Sequence, residues 1–172
     1  MSESLENFTN IVKEDIKEAK TLFFSEAFKE EYLKDRREEK ELYHQLLLGR
    51  NRNQILEEFL LSSGQKKPVL LSAAKTIYQA TIMNLDEPLE IKVKREGWGY
   101  LVGRIKSDGT FLSLHKNTFQ AEDFEDGTLT IYADMKTIPK DGDIDHLIIQ
   151  TVYQTLQIEV VYKEQKLSLI HI

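Results

Sequence analysis

No cysteine occurs anywhere in this chain of 172 residues. That excludes a disulfide framework, a thiolate zinc site and a cysteine nucleophile. Proline is scarce as well. Pro68, Pro88 and Pro139 are the whole complement, so the first third of the chain carries none of the residue that most readily breaks a helix. Positive charge is outnumbered, with 23 Lys and Arg against 29 Asp and Glu and a net charge of -6. Phosphate binding needs clustered positive charge, so nucleic acid is not an expected partner. Apolar runs long enough for a membrane helix, about 20 residues, are missing, and membrane insertion is not expected. The opening MSESLENFTNIVKED is polar and acidic and lacks the apolar stretch of a secretory leader. A cytoplasmic chain without cofactor or bound metal is the expectation.

What is present is a globular composition, 41% hydrophobic and 30% charged. Its arrangement changes character along the chain. Leu5, Phe8, Val12, Ile16, Ala19 and Phe23 recur at spacings of three and four, which places them on one helical stripe. Ser2 or Ser4 is positioned to cap its start. Phe24, Phe28 and Tyr32 continue the row. Lys34 to Glu41 carries no apolar residue and reads as a solvated helical segment, supported by pairs such as Arg37 with Glu41. Leu42, Tyr43, Leu46 and Leu47 restart the stripe. Asn51 or Asn53 then caps a short helix, Gln54 to Leu61, that Ser62-Ser63-Gly64 closes. A helical hairpin or small bundle over residues 1–64 is expected.

From Pro68 the period becomes two. Strands are expected at 69–71, 76–83, 89–94, 98–106, 111–114, 129–133, 147–151 and 156–162. Turn chemistry falls between them at Asp86-Glu87-Pro88, Ser107-Asp108-Gly109, Asp126-Gly127 and Pro139 to Gly142, with a tight hairpin near Thr151–Gln154. Seven or eight short alternating strands in about 100 residues suit a β-sandwich. The expected fold class is α+β, an N-terminal helical hairpin or small bundle followed by an immunoglobulin-like antiparallel β-sandwich over residues 68–166.

The segment TIYQATIMNLDEPLEIKV resembles the start of bacterial immunoglobulin-like repeats of the BACON and ASH kind. The matching positions are Ile82, Asn84, Asp86, Glu87, Pro88, Leu89, Ile91 and Val93. The stretch IPKDGDIDHLIIQTVYQTLQIEVVYK is similar to the closing hairpin of the same domains, although Gly142 is followed by Asp143-Ile144-Asp145 where an aromatic-glycine step is usual. The resemblance covers residues 68–163. It implies a non-catalytic module that spaces other domains or binds proteins or carbohydrates. The final LSLIHI, Leu167 to Ile172, resembles a translated sequencing adaptor, which implies a non-native tail over 167–172 and an N-terminal fragment of a larger bacterial protein.

Motifs that carry chemistry are few. Asp141, Asp143 and Asp145 alternate, as oxygen ligands of a calcium ion can, but an EF-hand would need Gly where His146 stands and Glu where Val152 stands, so an acidic turn is expected. His44, His115 and His146 share no ligand spacing. The Gly-rich GWGYLVG, Gly97 to Gly103, lacks a phosphate-loop pattern. There Trp98, Tyr100 and Val102 alternate, either as packed residues of a twisted strand or as an exposed strip, with Trp98 and Tyr100 as the binding residues. GRNRN, Gly49 to Asn53, reads as a solvated loop. The expected function is a non-catalytic structural or protein-interaction module. A carbohydrate- or ligand-binding module using Trp98 and Tyr100, or an accessory domain of a truncated enzyme, are the alternatives.

Overall fold

A computed structural model describes residues 4–164. The tail 167–172, with the non-native origin expected for it, lies outside them. The described residues divide into two compact units, one running to Pro68 and including Gly97–Tyr100, the other made of Val69–Glu96 and the residues from Leu101 on. Together the described residues make an α+β fold, five helices followed by an immunoglobulin-like β-sandwich.

In the first unit the helices are α1 Leu5–Glu14, α2 Ile16–Phe23, α3 Phe28–Tyr32, α4 Arg37–Leu46 and α5 Arg52–Ser62. Ser4 caps α1 by accepting from the Asn7 N–H at 3.1 Å. The expected unbroken stripe to Phe23 is interrupted at Asp15. Its backbone is extended, its N–H closes α1 on Ile11, and its carboxylate caps α2 through the Glu18 N–H at 3.1 Å. The helix over Lys34–Glu41 starts only at Arg37, and its Arg37–Glu41 pair is almost fully solvated and adds little. Asn51 caps α5. Beyond α5, Gly64 takes φ +77°, while the Gly64 N–H reaches the Leu61 carbonyl and the Gln65 N–H reaches that of Leu60. This is a Schellman closure, and it needs the left-handed residue that Ser-Ser-Gly supplies.

The stripes meet in an aromatic core. Phe8, Phe23, Phe28, Tyr32, Tyr43 and Phe59 are all buried, with ring centroids such as Phe23–Phe28 at 5.1 Å and Phe23–Phe59 at 5.2 Å. Edge and tilted contacts of this kind add to the area term. The Tyr43 hydroxyl donates to the Phe23 carbonyl at 2.5 Å, which satisfies its one polar group.

The second unit has two sheets, in strand order β1-β3-β7-β5 and β2-β9-β8-β4-β6. The strands are β1 Leu70–Ala73, β2 Ile77–Ala80, β3 Leu89–Glu96, β4 Val102–Ser107, β5 Leu112–Leu114, β6 Thr118–Gln120, β7 Thr128–Met135, β8 Ile144–Gln150 and β9 Thr155–Tyr162. All pairings are antiparallel except β2 with β9, because the first segment crosses from one sheet to the other at Ala74–Thr76. Inward residues such as Ile91, Val93, Phe111, Leu147, Ile158 and Val160 fill the space between the sheets. The expected strand 76–83 stops at Ala80. Thr81 and Asn84 form a capping box that starts a 3₁₀ turn, Ile82–Leu85, and Pro88 then precedes β3. Asp126 and Gly127 both have positive φ and make the two-residue loop closed by Glu125 and Thr128.

Asp145 is fully buried. Its Oδ1 accepts from the N–H groups of Asp108 at 3.2 Å and His146 at 2.8 Å. Its Oδ2 accepts from those of Phe111 at 3.0 Å and Leu112 at 2.9 Å. The acidic turn of the sequence therefore splits. Asp141 and Asp143 stay at the surface and accept from the Glu164 and Lys140 N–H groups, while Asp145 is an internal staple.

Asp145→Asn sets an NH₂ donor against backbone donors, and the loss of unfolding free energy in denaturant titration is expected to be about 3–5 kcal/mol, since each orphaned buried donor costs about 1–3 kcal/mol. Burial raises the Tyr43 phenol above its ordinary pKa of 10.0. Its contribution is therefore complete below pH 10 and disappears as pH climbs through the folded-state pKa. Tyr43→Phe is expected to be less stable by about 1–2 kcal/mol at neutral pH, from the orphaned carbonyl, and that gap should narrow in melts taken above pH 10.

Candidate interaction site

The strip at Trp98 and Tyr100 is built differently from the alternating strand expected there. Gly97 and Gly99 have φ of +101° and +100°, values that residues with a Cβ rarely adopt. They turn the backbone sharply on each side of Trp98, and β4 begins only at Val102. Trp98, Tyr100 and Val102 consequently do not share a strand face. Residues 97–100 belong to the helical unit, where the half-buried Trp98 packs on the helical core.

Beneath that ring lies a buried ion pair. The Lys66 and Glu57 side chains are 1% and 3% exposed, and Lys66 Nζ donates to Glu57 Oε1 at 2.5 Å. The same ammonium donates to the Trp98 carbonyl at 2.5 Å and lies 4.4 Å from the indole centroid, with Lys13 Nζ at 5.0 Å. A Cβ on Gly99 would stand 2.7 Å from Lys66 Nζ and push the ammonium from its place, and the φ of +100° favours glycine there as well. The Tyr100 hydroxyl accepts from Asn51 Nδ2 at 3.4 Å. This group has the chemistry of an anchor. The carbonyl and ring of Trp98 solvate an ammonium that water does not reach. Sequence reasoning passed over Glu57 and Lys66, whose pairing across nine positions has no local signature.

The histidines lie apart. His44 is exposed on α4. His115 Nε2 lies 2.8 Å from Asp134 and its ring stacks on Tyr132, while His146 Nδ1 lies 2.6 Å from Asp108. Among the described residues no group of three or more His, Asp or Glu side chains is placed to hold a metal ion, and no helix is long and apolar enough to cross a membrane.

Two adjoining concavities open in the sandwich around residues 115–123. One, of about 390 Å³, has a floor of Ile105, Phe119, Leu129 and Ile131, side chains that otherwise belong to the space between the sheets. Glu122, Asp123, Glu125, His115 and Lys116 line its rim. The other is an open groove of about 1000 Å³, lined by Val102, Arg104, Asn117, Gln120, Gln150 and Thr151 among others. His115, Lys116, Thr118, Phe119 and Asp123 belong to both. Their origin is local. β5 and β6 are three residues each, too short to close the flank. Phe119 is drawn onto β4 because Gly103, its cross-strand partner, leaves room, and a Cβ there would stand 2.2 Å from the ring. The sequence reading missed β6 altogether, since three residues show no usable alternation.

The Glu57–Lys66 pair can be tested by a double-mutant cycle. Removing either partner strands a buried charge, so Glu57→Leu or Lys66→Met alone should cost about 3–5 kcal/mol. The double variant should lose distinctly less than the sum, read by denaturant titration of all four proteins.

Several solved structures are similar to this chain. The Apo-form Calx CBD1 domain is 11% identical, with 58% of this chain and 100% of that chain covered and a TM-score of 0.41. The E. coli chaperone DraB is 8% identical, with 55% of this chain and 55% of that chain covered and a TM-score of 0.43. The ASH / PapD-like domain of human CEP192 is 8% identical, with 60% of this chain and 92% of that chain covered and a TM-score of 0.38. No curated protein matches the chain. The model of the family described as "Family of unknown function (DUF5717) N-terminal" matches residues 2–169, and the chain belongs to that family.

Proposed function

We propose that the chain is a non-catalytic interaction module that receives an extended segment of a protein partner at the open flank of its sandwich. The supporting observation is the cleft over Ile105, Phe119, Leu129 and Ile131, an apolar floor inside a charged rim at about 390 Å³. That volume suits one or two apolar side chains. The groove beside it, of about 1000 Å³, offers amide and hydroxyl groups from Asn117, Thr118, Gln120, Gln150 and Thr151 for a flanking backbone. Specificity then comes from the mixed rim, in which Lys116 faces Glu122, Asp123 and Glu125.

The family description names an N-terminal region, which supports reading the chain as part of a larger protein. The narrower kinship with BACON- and ASH-type domains rests on the Ile82–Val93 segment. Division of labour between a helical unit and a sandwich unit belongs to the same reading, as does a cytoplasmic setting. A second reading, a carbohydrate- or ligand-binding module using Trp98 and Tyr100, draws support from the half-buried indole between two lysines.

Peptides selected from a random display library against the whole chain test the first reading. They are expected to bind with micromolar affinity and to bind Thr118→Trp, which fills both concavities from the surface, at least tenfold more weakly. Failure to select any peptide, or unchanged binding to that variant in a folded state, rejects the flank as the site. A glycan-array signal that Trp98→Ala abolishes would favour the second reading.

A further inference from the structure

The two sheets have four edge strands, and three of them have an outward backbone group occupied by a side chain. On β1, Gln154 pairs with both the N–H and the carbonyl of Leu71, at 2.8 and 2.6 Å. On β5, Asp145 takes the Leu112 N–H. On β6, Asp123 takes the Gln120 N–H at 2.8 Å. The fourth edge is β2. Its even-numbered residues face β9, as the bonds from the Glu159 N–H to the Thr76 carbonyl and from the Lys163 N–H to the Ala80 carbonyl show. Ile77 and Gln79 therefore direct their N–H and carbonyl groups away from the sheet, and no described residue engages them. The edge also lacks the charges that usually protect such strands. Thr76 to Leu85 contains no charged residue, although 30% of the chain is charged. Ile77 is 59% exposed and Met83 54%, with Ile82 and Leu85 exposed beside them.

We propose that β2 is a self-association surface, at which two copies of the chain pair edge to edge, antiparallel, about a twofold axis near Tyr78. The pattern fits a second copy for two reasons. With Ile77 opposite the partner's Gln79, both outward N–H and carbonyl groups of each copy are used, which gives four backbone hydrogen bonds, and the two Ile77 side chains become diagonal neighbours that cover each other. Charge supplies the direction. Lys75 precedes the strand and Asp86 and Glu87 follow it. An antiparallel copy sets the positive end of each strand towards the acidic end of the other, whereas a parallel copy would align like charges. The isologous arrangement closes after two copies, so it does not propagate. This surface is distinct from the flank at Thr118, so the two proposals stand or fall separately.

Sedimentation equilibrium on the whole chain tests the pairing. The mass is expected to rise from that of a monomer towards that of a dimer as concentration increases, as a small interface requires. Gln79→Pro removes an outward N–H that β9 does not use, and Ile77→Lys adds charge on the solvated face. Each should keep the wild-type melting temperature and weaken dimerisation at least tenfold. Mixing Ile77→Lys with Ile77→Asp should restore dimers that neither forms alone. In the wild type, hydrogen exchange at the Ile77 and Gln79 amides should slow as concentration rises, a readout that does not depend on the variants folding. A monomer at all concentrations, dimers that survive both substitutions, or amide exchange independent of concentration would overturn the proposal.

Discussion

Four backbone N–H groups converge on the carboxylate of Asp145, and much of the sandwich follows from that convergence. A carboxylate taken out of water needs donors on both oxygens. Here the donors come from the start of β8 and from the Asp108–Leu112 segment, which carries the chain from the five-stranded sheet to the four-stranded one. Holding that crossing in place fixes Phe111 and Leu112 in the core. It also commits β5 to the sheet of β7, so that the chain must return within a few residues to lay β6 on β4. Two strands made in so little chain are short, and their shortness leaves the inter-sheet space open at the flank. One buried acid thus shapes both the stability of this unit and the concavity beside it.

The helical unit solves its polar problems by other means. Its core is a set of packed rings in which the buried Tyr43 hydroxyl is spent on a backbone carbonyl. Its buried charges, Glu57 and Lys66, are satisfied by each other, by a carbonyl and by an indole face. The ring and the carbonyl both come from Trp98, in a tetrapeptide that the chain supplies more than thirty residues after Lys66. The two glycines that flank Trp98 serve this arrangement through their positive φ. A segment that reads as an alternating strand is, in space, a glycine-flanked turn whose indole packs on the helical core.

Much of the architecture was legible because its causes are local. Stripes at spacings of three and four need only the helix period, and Phe8 and Val12 on α1, like Ala19 and Phe23 on α2, are all buried. Asp126-Gly127 makes its hairpin loop through conformations open chiefly to such residues. Strands β3, β7 and β9 alternate as their sequences do. Errors arose where one side chain overrode a period. Asp15 breaks a stripe that remains apolar on both sides of it, and the Thr81–Asn84 box halts β2 inside a run that reads as continuous strand. A capping bond outcompetes periodicity at a single residue, and a pattern averaged over a window does not register it.

By itself, then, the order of residues determined where helices give way to strands, which faces are apolar and which turns are tight, since each depends on neighbours within a few positions. It also ruled out thiol chemistry by composition alone. Only the tertiary structure decided that Asp145 is internal while Asp141 and Asp143 are not, that Lys66 meets Glu57 under Trp98, and that the open flank lies between β6 and β7. Those outcomes depend on which distant segments share a dielectric environment. A buried charge is tolerable only where partners far away in sequence arrive at hydrogen-bonding distance, and nothing in a residue's immediate neighbourhood announces that they will.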